Sequence, residues 1–464
     1  MMVLPNEFER RMRTLLGDEW DTVRTAWETM PIRRGVRANR LKYTAEQLRE
    51  RLPFLEARSP FSPDGFVTTA SFRAGSDPLH HAGAYYVQEP SAMSAVTVLR
   101  PEKGERVLDT CAAPGGKSTQ IAAALAGEGL LWCNEYVPSR ARILAQNIER
   151  CGIRNAVVSA GDTARLPVEL SGFFDAVLCD VPCSGEGMFR KEPEAIPQWS
   201  EDNVRTCAER SAAILDNAAA CVRRGGRLVL STCTFAPEEN EWAVVRFLKR
   251  HPDFTLVDTG VTFGRPGFSA TRIAPFGEGE SVENVPLQYC RRILPTDGGE
   301  GHFIALFVRE GDEARPAVAV KSAKEPEAVS AARALYADCF VNPPRGRLSV
   351  FGDTVRLLPE EMPETRGISI VAAGVAVATL RQGRTLRAEP HHAVFQSAAA
   401  DDCRRLLNLS LDDARVTAFL HGEELAVESP DGYTAVAADG VVTGFGKVSG
   451  GKLKNHYPKG LRLL

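Results

Sequence analysis

Between Arg106 and Glu310, short apolar runs alternate with helical periodicity, and this constrains the fold more than any other feature of the chain. The runs Arg106–Asp109, Leu130–Glu135, Ala156–Gly161, Phe174–Asp180, Arg227–Thr232, Phe254–Asp258 and Phe303–Val308 read as buried strands. Between the second and third, Pro138 opens a stretch with Ala141, Leu144, Ala145 and Ile148 on one helix face, and Gly152 suits its stop. Repeated strand–helix units require a parallel sheet covered on both faces, with ligands at the carboxyl ends of the strands. The expected core is α/β, doubly wound and Rossmann-like, over residues 101–312.

The 464 residues leave room for further domains. Residues 1–100 begin with a helical pattern through Phe8, Met12, Leu15, Leu16, Trp20, Val23 and Trp27. A basic segment follows, with Arg33, Arg34, Arg37, Arg40, Lys42, Arg49, Arg51 and Arg58 against three glutamates. Such a local excess is either a solvated face or a phosphate-binding surface, and the region is expected to bind RNA. After Arg315, Pro316–Ser330 reads as a linker leading to a helix, and Arg347–Leu380 as short β-type runs. The expected divisions there are an intermediate domain at 325–390 and a small domain at 391–464. The latter has helical patterns near Asp401–Leu407 and Leu411–Leu420, then Tyr433–Ala437, an Asp439-Gly440 hairpin turn and Val441–Phe445. Lys447, Lys452, Lys454, Lys459 and Arg462 then surround Tyr457. This is either a flexible basic tail or part of a β domain that holds RNA phosphates and stacks a base.

Composition narrows the class. With 44% hydrophobic and 25% charged residues the chain resembles ordinary globular proteins, and a net charge of −3 confines any nucleic-acid surface to a local patch. The absence of a run of 18 apolar residues argues against a membrane span, and the charged N-terminus argues against a secretory signal, so a cytoplasmic protein is expected. Eleven cysteines, an odd number without a CxxC pair, exclude a regular disulfide framework and a ribbon-type zinc site, so no metal is expected. Most should be small buried side chains; an exception needs a local reason for an exposed, polarised thiol.

The first strand ends in Asp109-Thr110-Cys111-Ala112-Ala113-Pro114-Gly115-Gly116-Lys117-Ser118, a small-residue turn running into a helix. Such a turn lets a ligand approach the backbone, where helix N–H groups are unpaired. Gly116-Lys117-Ser118 nearly completes a phosphate loop, but Cys111 stands where its first glycine belongs, so a P-loop nucleotidase misses by one residue. The second strand ends in Glu135, 26 residues after Asp109, where a carboxylate accepts hydrogen bonds from ribose hydroxyls. The third ends in Gly161-Asp162, an acid suited to an adenine amino group or to capping a helix. S-adenosylmethionine has ribose and adenine but no phosphate, and it fits this set as cofactor.

The fourth strand ends in Asp180-Val181-Pro182-Cys183 and the fifth in Ser231-Thr232-Cys233-Thr234, so two thiols are expected beside the cofactor. Two cysteines, an acid and a methyl donor suggest one reaction. Carbon 5 of cytosine is too weak a nucleophile until a thiolate adds to carbon 6. An acid near the ring nitrogen stabilises the adduct, and a base later removes the carbon 5 proton.

The segments Cys111–Ser118, DVPCSGEGMFR (Asp180–Arg190) and STCTFAPEE (Ser231–Glu239) resemble the Sun/RsmB/RsmF-type RNA cytosine-5 methyltransferases. Arg37–Gln47 and Tyr86–Met93 resemble that family's approach to the catalytic domain, and Gly446–Arg462 is similar to the PUA-like tail of the RsmF branch. The resemblance implies a nucleophilic Cys233, a Cys183 that assists elimination or product release, an Asp180 that holds the base and a Lys117 that reaches base or cofactor. It also implies a cofactor pocket of Cys111–Lys117, Glu135, Asp162 and Asp180. The implied protein is a monomeric enzyme acting on ribosomal RNA or the small ribosomal subunit. Transfer RNA as substrate, a nucleotidase and an inactive RNA-binding assembly factor are the alternatives.

Overall fold

The structure, a computed structural model, describes residues 3–277, 279–282, 284–318, 326–343, 346–381 and 386–463. Its centre is a ten-stranded sheet. Five strands, β1 (Arg106–Asp109), β2 (Leu130–Glu135), β3 (Ala156–Ala160), β4 (Phe174–Asp180) and β5 (Val222–Thr232), run parallel in the order β3-β2-β1-β4-β5. Beyond β5 come β6 (Phe254–Val257), β7 (Arg265–Pro266), β8 (Arg291–Ile293) and β9 (His302–Arg309). On the far edge β10 (Ile370–Ala373) lies antiparallel to β3.

The sheet is mixed rather than all parallel. β9 pairs antiparallel with β5, Phe303 opposite Thr232, and with β6 and β8. An apolar run reports burial on both faces but carries no direction; the connections set polarity. Side chains alternate along the parallel strands: Leu108, Val177 and Leu228 enter one core, and Val107, Leu178 and Val229 the other. Among the helices packed on these faces, α1 (Gly116–Leu125) follows β1 and α2 (Pro138–Arg150) buries Ala141, Leu144 and Ile148 as the spacing predicts. On the opposite face lie α3 (Glu201–Cys221) and α4 (Glu241–Arg250).

The N-terminal pattern folds as two helices, Asn6–Leu16 and Glu19–Thr29, broken at Gly17 with φ +59°. Their apolar face joins the catalytic core: Phe8 lies 5.4 Å from Phe189, and Trp27 meets Phe235 edge-on at 5.6 Å. The basic segment runs into a four-stranded antiparallel sheet and is only partly a surface. Arg37 is 1% exposed. Lys42 donates to the Gln396 carbonyl, Arg51 pairs with Asp439 and Arg58 with Glu46.

The C-terminal part holds two further sheets, the strands Arg347–Phe351 to Arg387–Pro390 and the strands Leu406–Leu409 to Lys452–Asn455, which share one apolar core. Leu406–Leu409 is a strand parallel to Gly432–Ala438, not the helix expected near Asp401–Leu407. Its leucines suit either period, and pairing with a buried strand decides. The Asp439-Gly440 turn joins Gly432–Ala438 to Val441–Ser449 as expected. Tyr457 is 2% exposed, its hydroxyl 2.9 Å from His81 Nδ1, so it does not stack a base. Residues 319–325 of the expected linker lie outside the described residues. No helix among the described residues is long and apolar enough to cross a membrane.

Candidate active site

Because β1 to β5 are parallel, their carboxyl ends share one sheet edge, and the residues singled out by motif converge there. After β1 the chain turns through Gly115 at φ +113°, a conformation only glycine adopts readily, with Leu144 3.1 Å from where a Cβ would stand. Side chains from other elements brace this turn. Arg37 donates to the Gly116 carbonyl at 2.6 Å and to Thr119 Oγ1 at 2.7 Å; Asn147 donates to the Pro114 carbonyl at 2.9 Å; and Arg140 donates to the Ala113 carbonyl at 3.0 Å. With 1% exposure and its bonds to Gly116 and Thr119, Arg37 is a structural cation rather than a phosphate ligand, and burial lowers its guanidinium to about 10.

Asp109 at the end of β1 accepts from Ser118 Oγ at 2.7 Å, while its Oδ1 is buried without a partner and burial lifts the carboxyl to about 7. Ser118 is therefore turned inward to Asp109 and Lys117 to Asp180, which removes both from the phosphate-loop role. Glu135 is 3% exposed and accepts from the amides of Ala113 at 3.3 Å and Val137 at 3.0 Å, so it is locked against the turn. Asp162 is exposed and accepts from the Ala164 amide at 2.9 Å, the helix-capping geometry, at the end of β3. Cys111 lies in the turn, its thiol pushed up to about 12 by burial. The acidic strand ends and the small-residue turn fit S-adenosylmethionine: Glu135 is fixed where ribose hydroxyls would donate, and the turn of Ala112–Gly116 carries no large side chain.

Lys117 Nζ donates to Asp180 Oδ2 at 2.7 Å. Burial pulls the ammonium down, but Asp180, with Cys233 and Asp109 beyond it, more than offsets this and Lys117 stays charged. The two motif cysteines meet: Cys183 Sγ and Cys233 Sγ are 3.4 Å apart, and the Cys233 amide also points at Cys183 Sγ at 3.4 Å. Both are half-buried, as is Cys111, whereas the other eight cysteines are buried. The hydrogen bond to Cys233, reinforced by burial, holds the Cys183 thiol well above its usual range.

Sequence reasoning missed what aligns the two cysteine loops. Glu239 accepts from the Ser184 amide at 2.9 Å, and its Oε1 lies 2.5 Å from Ser184 Oγ; Glu186 accepts from Thr234 Oγ1 at 2.9 Å, the Phe235 amide at 3.0 Å and Trp199 Nε1 at 2.8 Å. At Gly187 a Cβ would stand 2.9 Å from the Cys233 carbonyl, so the loops pack backbone to backbone. Ser184, Glu186 and Glu239 lie inside the quoted motifs, but nothing in their spacing says that they face one another. Beside the site, a cavity of about 430 Å³ lies between the N-terminal sheet and the Cys183 loop, lined by Arg33, Arg34, Phe72, Glu89, Arg190 and Lys191 among others.

Three family models match in order along the chain: the N-terminal domain of 16S rRNA methyltransferase RsmF at residues 4–90, 16S rRNA methyltransferase RsmB/F at 96–308, and the methyltransferase RsmF PUA domain at 406–463. A ribosomal RNA small subunit methyltransferase F of Vibrio atlanticus is 29% identical over 99% of this chain and 97% of its own length. One from Escherichia coli O17:K52:H18 is 40% identical over 48% of each. Among solved structures, a methyltransferase homologue from Pyrococcus horikoshii superposes with TM-score 0.58 at 29% identity, covering 67% of this chain and 96% of that one. The fold of NSun6 from the same organism, solved with SFG, an S-adenosylmethionine analogue, matches with TM-score 0.57 at 21% identity, over 67% and 100%.

Fold and site together define an S-adenosylmethionine-dependent methyltransferase of the Rossmann-like class, with paired cysteines at adjacent strand ends. The flanking domains narrow the class. The chain belongs to the RsmB/F family of 16S rRNA methyltransferases, with the N-terminal and PUA domains of the RsmF type.

Proposed function

We propose that this enzyme methylates carbon 5 of cytosine in 16S ribosomal RNA through a covalent adduct with Cys233. The Cys233 thiolate adds to carbon 6, and the electron pair of the 5,6 double bond makes carbon 5 nucleophilic. Asp180 and Lys117 hold the edge of the base where negative charge accumulates during addition, and the ammonium balances that charge. The bound cofactor supplies an electrophilic methyl group. After transfer, a base takes the carbon 5 proton, the electron pair left behind re-forms the double bond, and the carbon 6–sulfur bond breaks to return the Cys233 thiolate. Cys183 assists this last step.

The observation that carries the reading is the 3.4 Å contact between the two sulfurs beside the 2.7 Å Lys117–Asp180 pair. It supports two thiols that act on one base, and the choice of Cys233 as the nucleophile follows the Thr-Cys motif of the resembling family. Labelled S-adenosylmethionine should transfer its methyl group to 16S ribosomal RNA, naked or in small subunits. Transfer to transfer RNA alone, or to none of these, overturns the proposal. The reading places the enzyme in the cytoplasm as a monomer. The division at 1–100, 101–312, 325–390 and 391–464 is supported by four separate sheets, although Ile370–Ala373 joins the catalytic one.

The target base must leave its stack to reach the cysteines, so flanking nucleotides need a binding surface. We assign that surface to the cavity beside Arg33 and Arg34, both exposed. Arg33→Ala and Arg34→Ala should each reduce the salt dependence of RNA binding, the slope of log K against log salt falling by about 0.7 per arginine. S-adenosylmethionine affinity should not change. An unaltered slope in the double variant removes the cavity from the RNA path.

A further inference from the structure

We infer that Glu239 is a neutral carboxylic acid at the head of a hydrogen-bond chain that positions Cys183, a role resting on the assignment of Cys183 and Cys233 above. Proton counting carries the argument. Glu239 Oε1, Ser184 Oγ, Thr234 Oγ1 and Glu186 Oε2 follow one another at 2.5, 2.7 and 2.9 Å. These three contacts each need a hydrogen, yet the two hydroxyls supply only two. Without a third, one oxygen pair would face lone pair to lone pair inside the protein, where Glu239 is 0% and Glu186 2% exposed. One carboxyl group must therefore carry a proton.

Its place follows from the remaining partners. Glu186 receives N–H groups from Trp199 and Phe235 in addition to Thr234, the surroundings of an anion. Glu239 receives one, from the Ser184 amide on Oε2, which leaves Oε1 to carry the proton. Glu239 then donates to Ser184, Ser184 to Thr234 and Thr234 to Glu186, while Thr234 Oγ1 also accepts from the Ala236 amide at 3.2 Å. Every atom of the chain is satisfied. Ser184 directly follows Cys183 and Thr234 directly follows Cys233, so the chain holds the two thiols in register.

The groups facing Glu239 favour its neutral form. They are Cys183 and Glu186 on the Cys183 loop, Glu238 on its own segment and Cys207 on α3. Of the cations around this set, Arg11 of the first N-terminal helix is bound by Glu238 at 2.7 Å and acts on Glu186, and Arg210 on α3 acts on Cys207. Burial lifts Glu239 to about 8. A carboxyl raised in the folded state stabilises its site while protonated, below that value, and the contribution is lost as pH rises through it.

The test uses Glu239→Gln, whose amide donates and accepts as the neutral acid does. The variant should keep the rate at neutral pH within about threefold, whereas Glu239→Ala should lose about tenfold. The fall in kcat as pH rises through about 8 should be present in the wild type and absent from Glu239→Gln. Infrared difference spectra between about pH 6 and about pH 10 should show, beyond the band of Asp109 that both proteins lose, a second protonated-carboxyl carbonyl band that disappears in the wild type and is missing from Glu239→Gln. An inactive Glu239→Gln, an unchanged alkaline limb or identical band changes in both proteins would overturn the inference. The infrared measurement needs no RNA, so it stands even if wild-type enzyme methylates none and the reading of the two cysteines fails.

Discussion

On the proposed mechanism, Cys233→Ala should abolish methyl transfer, with a loss of at least about 10⁴-fold, while S-adenosylmethionine should still bind. Removing the nucleophile removes the only route that activates carbon 5, and the residual rate is that of the unactivated ring. The cofactor turn is built on β1 and β2 and braced by Arg37, Asn147 and Arg140, none of which touches Cys233. Isothermal titration with the cofactor should therefore give a wild-type affinity. Cys183→Ala should behave differently: addition should proceed but release stall, so that a covalent RNA–protein adduct accumulates and runs as a slow band on a denaturing gel. The 3.4 Å contact makes this asymmetry a test of roles rather than of presence, since both thiols can reach the same base. A slow band in Cys233→Ala and none in Cys183→Ala would exchange the two assignments.

The second large effect belongs to the Lys117–Asp180 pair. Asp180→Asn leaves a side chain of nearly the same shape but takes away the charge that keeps Lys117 protonated and aimed. Interactions made only as charge develops on the base act on the chemical step, and losing one costs about 10²–10³ in kcat. Lys117→Met should cost a similar factor. Because the two act as one unit, the double variant should be little worse than either single one. Single-turnover kinetics on saturating RNA separates this from weakened binding. Losses that multiply in the double variant would show that lysine and aspartate serve separate steps.

Much of the site is legible in the sequence. Glu135, Asp180, Cys183 and Cys233 could be placed at strand ends because buried runs are bounded by their first polar residue, and parallel strands send all those ends to one edge. The turn after β1 was readable because small residues and a glycine leave backbone accessible. Arg37 was misread: its place in a basic stretch suggests phosphate binding, yet its side chain enters the interior to hold the Gly116 carbonyl and Thr119. Tyr457 was misread for the same reason, since interleaving with lysines does not reveal which face of a strand-and-turn segment is covered. Phe8 and Trp27 showed a helix face but not its destination, the Phe189 and Phe235 side chains behind the two cysteine loops.

The sequence by itself determined the α/β alternation, the order of strand ends and the chemical identities gathered at them, since periodicity and local turn chemistry are properties of neighbouring residues. Only the tertiary structure decided that β9 runs antiparallel, that β10 comes from far along the chain, Ile370 opposite Ser159, to close the far edge, and that Glu186 and Glu239 share a buried chain through Ser184 and Thr234. Those facts depend on pairing between segments 48 to 55 residues apart or more. Strand direction and proton placement are set by the partner across the contact, which no local pattern encodes.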